Sequence, residues 1–211
     1  MTNFPGSPPL MKGAIVGVDL FNPISSVAIF QYNPEQLSRS ITPNYSQAGG
    51  GGKAEPMRLA GPPSESISAN LQMDLIDQME EGKNGPLGGG IGGYLAAIEM
   101  LVYPKSINVA INQALMLAGT MEVVPPAAPM TLFIYGVQKV VPVKIESLSI
   151  TETAHDTYLN PIRADVSLSM RVLTYNDLSM LNPGYWAFLT HQVVKETLAT
   201  VASVNNVIEA F

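Results

Sequence analysis

Three closely spaced glycines are the first residues of this chain whose pattern is compatible with chemistry. Gly88, Gly90 and Gly93 match the G-x-G-x-x-G pattern of dinucleotide-binding turns. That turn requires a preceding buried strand and a following helix whose N-terminus meets the pyrophosphate. The preceding residues 83–87 read KNGPL, which is unsuited to a central parallel strand. We therefore interpret this segment as a flexible glycine-rich loop and expect no nucleotide cofactor.

The ionisable residues that could support catalysis or metal binding are few. The chain has two histidines, His155 and His191, and no cysteine, whereas a zinc site needs three or four ligands at defined spacing. A Ser-His-Asp arrangement drawn through His155 and Asp156 lacks a nucleophile elbow such as G-x-S-x-G. Four acidic residues could supply a pair of carboxylates for acid–base catalysis: Asp74, Asp77, Glu80 and Glu81. We interpret them instead as the solvated end of a strand. The sequence therefore predicts a protein that is not an enzyme and that has neither a cofactor nor a metal site.

The composition excludes several classes of protein. Charged residues make up only 13% of the 211 residues, about half the share in ordinary soluble proteins. This low charge indicates that other subunits cover much of the surface. The net charge of −6 argues against non-specific nucleic-acid binding, and the absence of cysteine excludes a disulfide scaffold. We expect neither a signal peptide at the N-terminus nor a membrane span, because no apolar run is long enough.

Two segments alternate regularly between apolar and polar residues, which predicts long strands with one buried face. In the first, Glu65–Leu75, the apolar residues are Ile67, Ala69, Leu71, Met73 and Leu75. In the second, Arg163–Val172, they are Ala164, Val166, Leu168, Met170 and Val172. Five further segments are predicted as strands: 12–21, 25–31, 37–41, 130–135 and 140–151. The first two of these form a predicted N-terminal hairpin, and the last two form an antiparallel meander with Arg163–Val172.

The remaining segments have helical composition. A glycine-rich insert at about 80–129 contains two predicted helices, 94–102 and 107–118, and a longer helix is predicted to follow Asn182-Pro183. We divide the chain into a β domain, 1–176, and a C-terminal helical extension, 177–211. The extension carries the candidate partner-docking residues Trp186, Leu189 and Val193. For Trp186 an anchor on a partner and a core residue between helix and sheet are both open.

Three segments of the β domain carry recognisable motifs. The most specific is Phe30–Ser38, FQYNPEQLS, with Tyr32, Asn33, Pro34 and Glu35 at its centre. The others are Leu59-Ala60-Gly61-Pro62-Pro63 before the first long strand, and the strand pair 143–151 and 163–173. Together these motifs resemble those of the contractile injection system tube protein family, the tube–baseplate adaptors of phage-tail-like particles. The resemblance covers about residues 12–176.

The resemblance implies a mainly β fold with added helices, in which two antiparallel sheets of the phage tail-tube type pack as a sandwich. It implies a structural ring of about six copies, a hexamer whose inner sheets line a channel. Its partners would be itself, a spike hub protein, the inner tube protein and sheath-initiating or baseplate-wedge proteins. Assembly would occur in the bacterial cytoplasm as part of a particle. The long strands with a polar, weakly charged face suit such a channel wall, built by strand pairing between subunits.

Two other functions remain open at this point. One is an ordinary inner-tube subunit, repeated in many rings of the same particle; the C-terminal extension and the long insert disfavour it. The other, from a different class, is a carbohydrate-binding β-sandwich, which would need exposed aromatic side chains. Aromatic residues make up only 7% of the chain and lie mostly inside predicted strands. We therefore expect a structural adaptor ring that is anchored to the baseplate by its C-terminal helix.

Overall fold

The computed structural model describes residues 11–18, 26–46, 58–76, 90–117, 119 and 129–209. The strands are β1 (Ala14–Val18), β2 (Ser26–Ile29), β3 (Leu37–Thr42), β4 (Ser64–Asp74), β5 (Met130–Ile134), β6 (Val140–His155) and β7 (Pro161–Val172). The helices are α1 (Gly92–Glu99), α2 (Ser106–Leu117) and α3 (Pro183–Glu209). The sheet has the order β2-β1-β5-β6-β7-β4-β3, and all its neighbouring strands are antiparallel. The division of the chain at residue 176 stays a prediction.

The seven strands form one sheet, so the expectation of two packed sheets in a β-sandwich is wrong. The reason lies in β6, which is 16 residues long and belongs to both halves of the sheet. Its first residues pair with β5, and the rest pairs with β7. Between Ile145 and Ser147 the register with β7 shifts, and such bulges bend a strand and increase its twist. Buried side chains from both halves meet in one core cluster.

The two alternating strands are confirmed and lie next to each other at the centre of the core. β4 pairs with β7 over nine residues, with Ala69 opposite Leu168 and Leu71 opposite Val166. All ten side chains predicted to face inward are buried, each at most 4% exposed. The alternation therefore assigned both the strands and their buried faces correctly.

Aromatic side chains fill the core at the other half of the sheet. The Phe133 ring lies 6.3 Å from the Phe30 ring and 6.1 Å from the Tyr135 ring, measured between centroids. Gly13 lets the chain pass over this cluster, because a Cβ at that position would lie 2.6 Å from Cδ2 of Phe30. The backbone N–H of Phe30 also donates to the carbonyl of Gly13 at 2.8 Å. β1 and the end of β2 are thereby held against β5.

The three predicted helices are confirmed, but they pack very differently. α1 buries Leu95 and Ile98, and Ile91 and Leu101 at its two ends join the core. α2 has no buried residue. α3 begins at Pro183 as predicted and packs on the sheet through its first turns, where Phe188 contacts the core.

Candidate functional site

The residues considered for catalysis are held by ordinary structural partners. Nε2 of His155 lies 3.1 Å from Oε2 of Glu152 at the exposed end of β6, and Nε of Arg163 donates to Asp74 at 2.8 Å. Among the residues that the structure describes, no group of three or more His, Cys, Asp or Glu side chains could hold a metal ion. Asp77, Glu80, Glu81 and Gly88 lie outside the described residues.

The Tyr32–Glu35 motif forms a loop that ties the first strand to the rest of the sheet. The Asn33 side chain accepts from the N–H of Gly13 at 2.9 Å and donates to the carbonyl of Met11 at 2.8 Å. Next to the motif, the Gln31 side chain accepts from the backbone N–H of Asp74 at 2.9 Å and donates to its carbonyl. Pro34 is buried, whereas Glu35 is exposed. Asn33 therefore holds the chain just before β1, and the neighbouring Gln31 holds the end of β4.

We expect Asn33→Ala to lower the free energy of unfolding by about 1–2 kcal/mol, because two backbone groups lose their partner. Gln36→Ala, an exposed position three residues further along the loop, is the matched control and should change stability by less than about 0.5 kcal/mol. Urea unfolding followed by circular dichroism measures both. Equal stabilities of the two variants would show that the Asn33 side chain does not hold the start of β1.

The outward face of β3, β4, β7 and β6 is a continuous polar surface whose central rows consist of small neutral side chains. Register pairing aligns these side chains in rows across the strands. The central rows are Ser38–Ser68–Ser169–Ser147 and Asn70–Ser167–Ser149. The flanking row on one side is Gln72–Asp165–Thr151, and Asp165 makes it acidic. The flanking row on the other side is Ser40–Ser66–Arg171–Lys144, and its arginine and lysine make it basic. These side chains are exposed or half-buried, so we call this surface the hydroxyl face.

One carboxylate on the opposite face carries an ion-pair cluster that joins three elements. The Glu65 side chain is only 9% exposed, and its two oxygens lie 2.8 Å from Nε of Arg39 and 3.1 Å from Nζ of Lys195. Lys139 lies near the same charged groups. Burial first, and then the positive charge of Arg39, lower the pKa of its ammonium group. Glu65 therefore fastens edge strand β3 and helix α3 to β4.

Glu65 was not among the residues predicted from the sequence, although the sequence contains a signal for it. Its position continues the inward alternation of Ile67 and Ala69 by one more step. A carboxylate at an inward position of a strand requires a cationic partner, because an unpaired buried charge is costly. The partners Arg39 and Lys195 are too distant in sequence to be identified from the pattern.

His191 is a buried titratable group on α3. The residue is 8% exposed, and Nδ1 of its ring lies 3.1 Å from the carbonyl oxygen of Gln138, to which it donates. Burial first, and then the nearby charge of Lys195, lower the pKa of His191 below its ordinary value of 6.5. The folded protein therefore favours the neutral imidazole.

We expect the stability of the protein to fall as the pH drops below about 6.5, the ordinary histidine pKa. The unfolded chain binds a proton on His191 at a higher pH than the folded chain does, so protonation favours unfolding. The contribution is complete above pH 6.5 and is lost towards the lowered pKa of the folded state. Thermal unfolding at pH 7.5 and at pH 5.5 measures this. His191→Gln should reduce the difference, and a difference unchanged from that of the parent protein would contradict this assignment.

The three predicted docking residues on α3 are found at different depths. Trp186 is 60% exposed, and its Nε1–H donates to the carbonyl of Met180 at 3.0 Å. It is therefore not a core residue; Phe188 takes that place, with its ring 6.0 Å from the Tyr175 ring. Leu189 is half-buried and Val193 is 56% exposed. Their docking role stays a prediction.

Two helical surfaces are apolar and uncovered within the described chain. On α2, Ile107, Ile111 and Leu115 are 60%, 50% and 42% exposed. On α3, all the side chains described beyond Lys195 are exposed, and no charged residue occurs between Glu196 and Glu209. Within the part of the chain that the structure describes, no helix combines the length and hydropathy required to cross a membrane. Large uncovered apolar surfaces are typical of contact sites between proteins.

No protein-family model matches the chain, and no curated protein matches it. Among solved structures, the chain is similar to a component of the virion of a native gene transfer agent particle, with 15% identity and a TM-score of 0.28. That match covers 76% of this chain and 90% of the other. The chain is also similar to a component of the tail of an empty gene transfer agent particle with C6 symmetry, with 17% identity and a TM-score of 0.30. There the match covers 75% of this chain and 89% of the other.

Proposed function

We propose that this protein is a structural ring subunit of a phage-tail-like contractile particle, with the hydroxyl face lining the bore. The observation that carries the proposal is the hydroxyl face itself. Its central rows consist of neutral serine side chains and one asparagine, on four strands. A wall of this kind remains hydrated and offers cargo no strong charge or apolar patch to bind. The protein performs no catalysis in this role.

The two edges of the sheet support assembly with copies of the same chain. β2 and β3 are the outer strands, and each exposes apolar side chains: Ile29 is 58% exposed and Ile41 is 49% exposed. Proteins usually protect such edges, because an unpaired apolar edge recruits other strands. If β2 of one copy paired with β3 of the next copy around a ring, neither edge strand would remain unpaired. We propose a ring of about six copies.

Within the particle we propose that the ring joins the spike hub or baseplate to the inner tube. The supporting feature is α3, whose first turns dock on the sheet while its second half remains exposed. An exposed helix of this kind can bind a sheath-initiating or baseplate-wedge protein on one side of the ring. A tube subunit repeated in many rings needs no such appendage, so we favour the adaptor over the inner-tube subunit.

The carbohydrate-binding alternative is disfavoured by the same surface. Sugar-binding proteins commonly place aromatic rings against the sugar, and the four described rows of the hydroxyl face contain no aromatic residue. Tyr158, the most exposed tyrosine described, lies instead at the β6–β7 turn.

Thiol labelling tests the position of the hydroxyl face, and the chain has no cysteine of its own to interfere. Ser167→Cys places a thiol on this face, and Val137→Cys places one on the exposed β5–β6 turn. In assembled protein we expect a small maleimide to label both positions. A maleimide carried on a polymer wider than the bore should label position 137 much faster than position 167. Equal labelling of both positions by the large reagent would contradict a bore lined by this face.

A further inference from the structure

We propose that helix α2 of one copy seats in an apolar groove of the next copy. This inference rests on the proposed function, because it requires copies of the chain to assemble. It adds a helix-in-groove contact to the pairing of sheet edges and names the two surfaces that meet.

The groove lies where α1, the sheet and the segment before α3 come together. Its volume is about 490 Å³, and its apolar lining includes Leu101 and Val102 after α1, Met130 and Val143 on the sheet, and Leu178. The polar residues that line it are Thr131, Lys144 and Asn182, and among the described residues no carboxylate borders the groove. Its size and chemistry suit a few aliphatic side chains from an uncharged helix.

Helix α2 has the complementary surface. It contains no charged residue, so seating it would bury no unpaired charge. Ile107, Ile111 and Leu115 follow one another at intervals of four residues and therefore share one face of the helix. All three are at least 42% exposed. An isolated helix of this length is marginal in water, so α2 requires a surface to pack against.

The occupant of the groove is a second copy, because α2 does not fill the groove of its own chain. Only Tyr103, Pro104 and Lys105 join groove residue Val102 to the start of α2 at Ser106. This short connection keeps the start of α2 close to the groove of its own chain, yet no described residue of the helix lines that groove and none is buried. A knob and a groove on the same chain make a head-to-tail contact, which closes into a ring when the rotation permits. A helix that lies on a membrane surface carries Lys or Arg on its polar face, and α2 has neither.

Disulfide trapping between two single-cysteine variants tests this contact. Leu115→Cys supplies the helix and Met130→Cys supplies the groove, and the two proteins are mixed and oxidised. We expect a covalent dimer on a non-reducing gel at several times the yield of either variant alone. Leu115→Cys mixed with Val137→Cys is the matched control and should give only the background yield. A yield from the groove pair no higher than this control would overturn the inference.

The double variant with both cysteines in one chain separates contact between copies from contact within a copy. A ladder of covalent dimers, trimers and larger species is expected. An internal disulfide that leaves only faster-migrating monomer would show that α2 folds onto its own groove, and it would overturn the inference.

The charge-bearing variant Ile111→Lys separates failure of this inference from failure of the proposed function. Because Ile111 is 50% exposed in the single chain, we expect the thermal midpoint of unfolding of the monomer to be unchanged. Electron microscopy should then show loss of rings at a concentration where the parent protein forms them. Rings formed equally well by Ile111→Lys would refute the α2 contact and leave the proposed function standing. A parent protein that forms no rings would refute both.

Discussion

Replacement of Leu168 by aspartate is expected to lower the free energy of unfolding by about 4 kcal/mol or more, a large share of the roughly 5–15 kcal/mol by which small proteins are stable. Leu168 is 3% exposed and lies opposite Ala69 on β4 and Leu148 on β6. The substitution removes its apolar contacts and places an unpaired carboxylate among apolar side chains. Urea or thermal unfolding measures the loss, and poor yield of folded protein would have the same cause.

The neighbouring position supplies the control for this prediction. Ser169 points to the hydroxyl face in the same strand, so Ser169→Asp should change the free energy of unfolding by less than about 1 kcal/mol. If Ser169→Asp unfolded the protein and Leu168→Asp did not, the two faces of β7 would be exchanged. A shift of one residue in register has that effect, because alternate side chains point to opposite faces.

Glu65→Gln is the substitution with the second largest expected effect, a loss of about 2–3 kcal/mol. The amide keeps the size of the side chain and removes the charge that Arg39 and Lys195 share. Lys139 would then face two cations with no compensating carboxylate. Because Arg39 and Lys195 are themselves about one-third exposed, water screens part of the loss, and we place the effect below that of a fully buried pair.

Glu152→Gln is the matched control for the Glu65 cluster. Its carboxylate pairs with His155 at the surface and is 42% exposed, so we expect a change of less than about 0.5 kcal/mol. Chemical unfolding at low and at high salt measures the free energy of unfolding of both variants. A similar small effect from both would show that Glu65 does not fasten α3 to the sheet.

Strand positions and buried faces could be predicted from this sequence because they follow from a local period. The alternation in β4 and β7 extends over ten residues or more, and side chains two apart in a strand share a face. The helices were equally accessible, since Asn182-Pro183 gives a helix start that does not depend on tertiary contacts. The apolar content of α2 indicated a helix but did not show that the helix is uncovered.

The single sheet could not be predicted, because it depends on pairing between distant segments. β6 joins both halves of the sheet, and the register shift after Ile145 that accompanies this has no signal in the local pattern. The expectation of two sheets came from the resemblance to tube proteins and not from a pattern in the sequence.

The contacts of the residues that hold elements together could not be predicted either, because they join positions far apart in the sequence. Asn33 bonds to Gly13, 20 positions earlier, and Glu65 meets Lys195 across 130 positions. The motif around Asn33 was found through a resemblance, which gave the residues but not their contacts. Glu65 is identifiable from the sequence itself, because it is the charged residue at an inward position of β4.

Native mass spectrometry of the purified full chain tests the central claim most directly, because it counts the copies in each assembly. The account predicts a closed species of about six copies of the 22.5 kDa chain, which remains a single discrete peak as the protein concentration is raised. A chain that stays at 22.5 kDa across the whole concentration range would contradict the account.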